Sequence, residues 1–150
     1  MSVDLPSVGA RLGGRYDLLG ILGAGMMGVV YRARDAADGA EVAIKVLRPD
    51  AMRIPGVPER LVQEGHILTH LASPHLVRVL EVGHTAQGLP FLAMELLVGQ
   101  PLGELLRARG VLGVGEALAY GLHACQALAL AHDAGVVHRG LQPDNLFLVR

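Results

Sequence analysis

Between Tyr16 and Leu97 the apolar residues come in short runs, and in several runs they alternate with polar residues in the period of a β-strand. The runs of this kind are Tyr16–Gly23, Gly28–Asp35, Glu41–Leu47, Leu76–Val82 and Pro90–Leu97. The connections are mostly short and include the turn signal Asp38-Gly39, which favours antiparallel neighbours. The pattern therefore predicts a five-stranded antiparallel sheet.

Apolar residues three and four positions apart replace this alternation elsewhere, and they predict helices. The first helix, Pro58–Leu71, begins with a proline that suits a first helical turn. Two more helices are predicted at Leu102–Arg109 and Gly115–Ala134, before a final β run at Leu146–Val149. The fold class is thus α+β. The predicted parts are a flexible lead at residues 1–15, a sheet with one packed helix at residues 16–98, and a mainly helical part at residues 99–150.

Composition and charge exclude several classes of protein. Of the 150 residues, 51% are hydrophobic and 18% are charged, so a packed aliphatic core is expected rather than disorder. The formal net charge of −1 provides no broad attraction for nucleic acid or anionic lipid. No apolar run is long enough for a membrane span, and the N-terminus has no signal-peptide core. The one cysteine, Cys125, cannot form an internal disulfide, so a reducing, cytoplasmic location is expected.

A glycine-rich turn joins the first two long β runs. Gly23, Gly25 and Gly28 have the spacing G-x-G-x-x-G, and Val30 completes G-x-V. Glycines let a phosphate group come close to backbone N–H groups. The same spacing opens dinucleotide-binding folds, but those need a helix after the last glycine, and here a β pattern follows. The turn is therefore a phosphate-binding hairpin tip or a plain glycine-rich hairpin turn.

A lysine stands inside a strongly apolar strand. Lys45 ends the sequence V-A-I-K, and lysine is depleted in such strands unless its ammonium group has a partner. The glycine-rich turn suggests that partner, the phosphates of a nucleotide. Glu64 on the next helix could anchor the ammonium group by its charge. The alternatives are a solvated Lys45 at a sheet edge and an ordinary surface carboxylate at Glu64.

Together these motifs resemble the protein kinases. G-A-G-M-M-G-V-V, V-A-I-K and a helical glutamate occur in the order of that family, and L-G-A-G-M-M-G-V-V-Y-R-A-R-D is most similar to bacterial serine/threonine kinases of the eukaryotic type. The resemblance covers about residues 16–150. It implies a protein-kinase-like fold, in which an ATP-binding lobe precedes the helical start of a second lobe. The implied ligands are ATP and Mg²⁺.

The resemblance also implies a role for each matching residue. Lys45 would pair with Glu64, Met94 would be the gatekeeper, and backbone groups of Glu95 and Leu97 would bind the adenine edge. The residues implied around the adenine are Val30, Ala43, Met94, Glu95, Leu97 and Phe147. The residues implied at the phosphates are Gly23, Gly25, Gly28, Lys45 and Glu64.

The catalytic loop departs from the family pattern. The family has H-R-D-L-K-P-x-N, whereas His138–Asn145 reads H-R-G-L-Q-P-D-N. Gly140 replaces the aspartate that accepts the proton of the substrate hydroxyl, and Gln142 replaces the lysine that neutralises the transferred phosphoryl group. No catalytic residue is therefore intact, while Asn145 matches the Mg²⁺-binding asparagine. Asp144 occupies a variable position of the motif and is not expected to substitute as the base.

Three interpretations of function stay open. The chain is a serine/threonine protein kinase by descent with impaired phosphotransfer to protein Ser or Thr, a pseudokinase that serves as a binding or scaffold module, or a non-functional kinase fragment. The sequence ends at Arg150 before a D-F-G motif, so a second Mg²⁺ ligand and an activation loop lie outside it. The expected partners are ATP and a protein substrate or protein partner, with no nucleic acid and no membrane segment.

Overall fold

A six-stranded antiparallel sheet forms most of the first of two compact units. A computed structural model describes residues 2–150. The first unit runs to His70 and continues with Arg78–Leu96, and the second consists of Leu71–Val77 and Leu97–Arg150. The strands of the first unit are β1 (Arg11–Leu12), β2 (Tyr16–Ala24), β3 (Gly28–Asp35), β4 (Glu41–Leu47), β5 (Val79–His84) and β6 (Pro90–Glu95). Their order is β1-β2-β3-β4-β6-β5, which confirms the predicted antiparallel sheet.

The sixth strand, β1, comes from the segment predicted as a flexible lead. Arg11 lies opposite Asp17 and Leu12 opposite Tyr16, and Nε of Arg11 donates to the Asp17 carboxylate at 2.6 Å. Leu12 is buried with the core residues of the sheet. The predicted count of five strands is therefore wrong by one, because a two-residue strand shows no readable alternation.

One face of the sheet carries the core of the first unit. Its residues are aliphatic or aromatic and follow the two-residue period of the strands. They are Leu12, Tyr16, Leu18, Val29, Tyr31, Ala33, Val42, Ile44, Val46, Leu89, Phe91 and Ala93. The rings of Tyr16 and Phe91 meet edge to face with centroids 6.0 Å apart. Side chains at the intervening positions of β3, β4 and β6 therefore point to the opposite face.

Helix α1 (Val57–Leu68) packs against that opposite face. Its buried residue, Gly65, lies so close to the sheet that a Cβ there would be 2.5 Å from Cδ2 of Leu92 and 2.8 Å from Cγ2 of Val82. Glycine at this position therefore lets the helix backbone approach β5 and β6. The predicted helix is found, and Pro58 lies in its first turn as expected.

The helix ends three residues before its predicted end at Leu71. The hydroxyl of Thr69 donates to the carbonyl of His66 at 2.6 Å, which offers the backbone an alternative to continued helix. Leu71 then belongs to the second unit. The apolar spacing alone could not locate this end, because Leu71 continues the three-residue step from Leu68 beyond the last helical residue.

The second unit contains two helices and a two-stranded sheet. Its elements are β7 (Gly99–Pro101), α2 (Leu102–Arg109), α3 (Val114–Asp133) and β8 (Phe147–Val149). Helix α2 has its predicted bounds, and α3 begins and ends one residue early. No strand was predicted at residues 99–101, but β7 pairs with β8, and a three-residue strand with a distant partner leaves no local pattern. Within residues 2–150, no helix combines the length and apolar character needed to cross a bilayer.

Replacement of Gly99 by alanine should disrupt the β7–β8 pair. Gly99 has a φ of 152°, and a Cβ there would lie 1.9 Å from the carbonyl oxygen of Leu148. We expect Gly99→Ala to lower the free energy of unfolding by about 1–3 kcal/mol through backbone strain. The control Gly121→Ala on α3, where a Cβ meets nothing within 4 Å, should stabilise the helix. Urea unfolding checks both variants, and a Gly99→Ala protein as stable as the wild type would contradict the close approach.

Asp35, at the end of β3, accepts three hydrogen bonds. Nε and Nη2 of Arg15 donate to it at 2.8 and 2.7 Å, and the N–H of Ala37 donates at 2.9 Å. These bonds, above all those from Arg15, hold the pKa of Asp35 below its ordinary value. Its stabilising effect is therefore complete above the unfolded-state pKa of about 3.9 and is lost as the pH falls through the lower folded-state pKa.

Asp35→Asn keeps the shape of the side chain and removes its charge. We expect the melting temperature at pH 7 to fall by on the order of 5 °C. The difference from the wild type should begin to shrink below about pH 4, where the unfolded carboxyl group gains its proton, and should be smallest below the lower folded-state pKa, where Asp35 is neutral in both states. Asp17→Asn is the control, because its pair with Arg11 is more exposed and should contribute less. Circular-dichroism melts over a pH series provide the check, and a difference that does not depend on pH would contradict the assignment.

Candidate functional site

Four of the residues predicted to bind ATP lie on one face of the sheet. Val30 on β3 lies opposite Lys45 on β4, and Ala43 on β4 lies opposite Met94 on β6. Residues directly opposite each other in an antiparallel pair share a face, as do Ala43 and Lys45 two positions apart. We term this surface, made of Val30, Ala43, Lys45 and Met94, the Lys45 face. Leu92 also lies opposite Lys45, so α1 packs against the same face.

The glycine-rich turn is the tip of the β2–β3 hairpin, as the sequence predicts, and Gly28 begins β3 rather than a helix. The N–H of Gly25 donates to the carbonyl of Gly28 at 2.9 Å. A Cβ at Gly28 would lie 2.7 Å from the carbonyl oxygen of Val46, so the fold itself requires glycine there. At Gly23 a Cβ would meet nothing within 4 Å, and at Gly25 its nearest contact would be 3.9 Å away. These two glycines therefore leave open space beside the backbone.

Lys45 is the only lysine in the sequence, and the remaining residues among its 13 basic ones are all arginine. Its side chain is half-buried on the Lys45 face. Glu64 lies in α1 beside the buried Gly65 and is also half-buried. The pairing of Glu64 with Lys45 stays a prediction.

The predicted hinge begins where β6 ends. Met94 is half-buried, and Glu95 is the last residue of the strand. The N–H of Glu95 donates to the carbonyl of Arg78 at 3.0 Å, and its carboxylate accepts the N–H of Arg78 at 2.9 Å. Leu97 is half-buried and begins the main segment of the second unit. The adenine-binding roles of these residues remain predictions.

The segment His138–Asn145, predicted to be an altered catalytic loop, is held by its own hydrogen bonds within the second unit. The N–H of Gly140 donates to Nδ1 of His138 at 3.2 Å. The side-chain amide of Asn145 donates to the carbonyl of Gly140 at 2.6 Å, which orients its carboxamide group. Arg139 has a φ of 64°, a left-handed conformation that is uncommon outside glycine, and its guanidinium donates to the carbonyl of Val137 at 3.2 Å. The loop thus has a defined shape although position 140 carries no side chain.

The only carboxylate inside this loop, Asp144, is engaged by α2. Its Oδ1 accepts a hydrogen bond from Nη1 of Arg107 at 3.0 Å. The same oxygen lies over the first turn of α2, where a Cβ at Gly103 would be 1.9 Å away. The sequence contained no signal for Gly103 or Arg107, because their role depends on tertiary contact. The carboxylate of Asp144 therefore forms a structural contact with Arg107 of α2.

The remaining predicted residues lie at the end of the second unit. Phe147 is the first residue of β8, lies opposite Pro101 and is 38% exposed. Asn145 is the one predicted metal ligand. Among residues 2–150, no group of three or more His, Cys, Asp and Glu side chains could hold a metal ion.

One contact at the hairpin was not predicted. Arg48 falls in a segment that the prolines mark as a loop, yet its Nε donates to the carbonyl of Gly25 at 2.6 Å. Its backbone N–H donates to the carbonyl of Met27 at 2.8 Å. An arginine three residues after Lys45 has no distinctive sequence pattern, so only the structure identifies it.

A glycine hairpin, a lysine on the neighbouring strand and a packed helix beside it are the arrangement of the ATP-binding part of a protein kinase. The family model described as "Protein kinase domain" matches residues 16–150. The chain therefore belongs to the protein kinase family, and the resemblance to bacterial kinases of the eukaryotic type is confirmed.

Similar proteins include several bacterial kinases. The DNA damage-responsive serine/threonine-protein kinase RqkA of Deinococcus radiodurans is 40% identical over 147 residues, which are 93% of this chain and 21% of RqkA. The serine/threonine-protein kinase PknA of Mycobacterium tuberculosis is 35% identical over 147 residues, 95% of this chain and 34% of PknA. The crystal structure of the Mycobacterium tuberculosis PknI kinase domain has a TM-score of 0.87 and 28% identity, covering 97% of this chain and 58% of that one. This chain thus spans only part of the length of these relatives.

Proposed function

We propose that the chain binds ATP on the Lys45 face and that its transfer of phosphate to protein Ser or Thr is impaired. The observation that carries the proposal is the strand register, which aligns Val30, Ala43, Lys45 and Met94 on one face. The glycine hairpin joins β2 to β3, one of the strands that make this face. The chain would act in the cytoplasm, with a protein as substrate or partner.

The residues of the Lys45 face and the glycine hairpin fit a nucleoside triphosphate. Val30 and Ala43 offer small apolar surfaces on adjacent strands, which suit the flat faces of adenine. The open backbone at Gly23 and Gly25 leaves room for phosphate oxygens, and Lys45 supplies a positive charge on the same side of the sheet. The bound nucleotide would supply the phosphoryl group. We assign residues 16–98 to this ATP-binding lobe and residues 99–150 to a partial second lobe.

Mg²⁺ is usually bound by one or two carboxylates together with substrate phosphates, and in protein kinases an asparagine of the catalytic loop is also a ligand. Asn145 fits such a role, because its carboxamide is oriented by the carbonyl of Gly140. Glu64 would orient Lys45, Glu95 and Leu97 would bind the adenine edge through their backbone groups, and Phe147 would contact the ring. These roles rest on the family resemblance.

The proposed impairment follows from the residues at positions 140 and 142. Gly140 offers no base for the substrate hydroxyl, and Gln142 offers no charge for the transferred phosphoryl group. The nearest carboxylate in the sequence of the loop, Asp144, is held by Arg107. The chain would therefore position a nucleotide but accelerate its reaction poorly.

A thermal-shift titration with ATP and Mg²⁺ tests the binding proposal. Ligand at about 100 times its dissociation constant stabilises a folded protein by about 2.7 kcal/mol, so a rise of several degrees is expected. Adenosine should cause a smaller rise, because it lacks the phosphates. A melting temperature that stays constant up to millimolar ATP would overturn the proposal.

A further inference from the structure

Arg48, the first residue after β4, holds the glycine hairpin at two points. Its backbone N–H donates to the carbonyl of Met27 at 2.8 Å, next to the pairing of β3 with β4. Its side chain adds a second bond, from Nε to the carbonyl of Gly25 at 2.6 Å. Met26, between the two anchored carbonyls, is 93% exposed, so packing of its side chain does not hold the tip. Arg48 therefore provides the tip with its side-chain anchor.

The two bonds determine which way the amide groups of the tip point. A trans peptide unit is planar, and its C=O and N–H groups point in opposite directions. Because the carbonyl of Gly25 is directed at Arg48, the N–H of Met26 is directed away from Arg48. The carbonyl of Met27 has the same effect on the N–H of Gly28. Without the guanidinium, the Gly25–Met26 peptide would lose the bond that fixes its orientation.

We infer that Arg48 is a positioning residue for phosphate binding, which acts by holding the Gly25 carbonyl so that the next N–H group is presented to the phosphates of a nucleotide. The inference rests on the proposed binding of ATP at the Lys45 face. Donors that are ordered before a ligand arrives bind it more tightly, because the free energy of binding then does not include the entropic cost of ordering them. The effect concerns the phosphates alone, so adenosine should be insensitive to it.

A purely electrostatic role for Arg48 makes a different prediction. An electrostatic role needs the positive charge, whereas the positioning role needs an N–H donor at the place of Nε. In Arg48→Gln, the amide nitrogen is attached to Cδ, as Nε is in arginine, so the donor remains while the charge is lost. Arg48→Met has a side chain that reaches as far as the position of Nε and removes both the donor and the charge. The exposed Arg11, paired with Asp17 on β1, provides the control Arg11→Met.

Dissociation constants for ATP with Mg²⁺ and for adenosine, measured by calorimetry on these four proteins, test the inference. Arg48→Met should weaken ATP binding about tenfold, as the loss of one hydrogen bond to a charged donor implies. Arg48→Gln should stay close to the wild type, and adenosine should bind all four proteins alike. Without nucleotide, hydrogen exchange in the segment 23–30 should be faster in Arg48→Met but not in Arg48→Gln.

Each other outcome overturns the inference. Equal ATP binding by Arg48→Met and the wild type shows that the contact has no effect, and equal losses in Arg48→Gln and Arg48→Met show that charge is responsible. A matching loss for adenosine shows general damage to the fold. Should Arg48→Met not fold, Arg48→Gln alone decides, since loss of ATP binding or faster exchange in that variant contradicts positioning by the donor. A wild type that does not bind ATP overturns the proposed function and the inference together. In the outcomes above, the wild type binds ATP and only the inference fails, so the two failures can be distinguished.

Discussion

Gly140→Asp together with Gln142→Lys, which supplies the two side chains that the family pattern has at these positions, should raise phosphotransfer by about 10²–10⁴-fold, the usual contribution of a positioned general base. The assay requires a whole catalytic domain, so both versions of the chain would be joined to the remaining second-lobe sequence of a related bacterial kinase. Transfer of radiolabelled phosphate to a protein substrate is then measured. The two restored groups act on one transition state, so their effects need not multiply.

The single reversions and one control sharpen this test. Gly140→Asp alone should recover more activity than Gln142→Lys alone, because the first restores the base and the second a charge. Asp144→Asn should not change the rate, since that carboxylate is engaged by Arg107. Equal, robust activity in the joined protein with and without the double reversion would show that these substitutions do not disable the site.

Lys45→Ala should weaken ATP binding by about 10–100-fold, because a charge-assisted bond to a phosphate contributes about 1.5–3 kcal/mol. The loss should appear for ATP and ADP but hardly for adenosine. Calorimetric titration measures it directly. The thermal shift caused by ATP should fall in parallel.

Lys45→Arg is the most informative control for this prediction. It keeps the charge but replaces a compact ammonium group with a planar fork on a different stem, so it should recover only part of the affinity. Every other basic residue of the chain is already arginine, which makes this the one position where the distinction can be tested. Unchanged ATP affinity in Lys45→Ala would return Lys45 to the alternative of a solvated residue.

Much of the sheet was predictable because its information is local. The runs predicted for β3 and β4 have the bounds of the strands, since β3 alternates, β4 is a short and strongly apolar run, and the turn at Asp38-Gly39 separates them. The predicted start of β5 at Leu76 is three residues early. Leu76 forms only an isolated bridge with Ser73, so the apolar run begins before the strand. Strands β1 and β7 were not predicted, because they have only two and three residues and are defined by hydrogen bonds to a partner strand.

In the candidate site, too, some features follow from the local sequence and others depend on tertiary contacts. The position of Lys45 on one face with Val30 and Met94 follows from the period of two and the order of the strands. The bonds from Arg48 to the hairpin and from Arg107 to Asp144 do not follow from any local pattern, because they join segments that only the fold brings together. Motif spacing thus located the glycine hairpin but not the side chain that holds its tip.

Because Lys45 is the only lysine, proteolysis at this residue measures local unfolding of the sheet. A protease that cuts only after lysine has one possible target here, the bond between Lys45 and Val46, and that bond lies in β4 with β3 and β6 on either side. Cleavage requires the strand to leave the sheet, so under native conditions its rate follows the free energy of that local unfolding. The digestion yields one pair of fragments, and protection by a bound nucleotide would appear as slower loss of a single band.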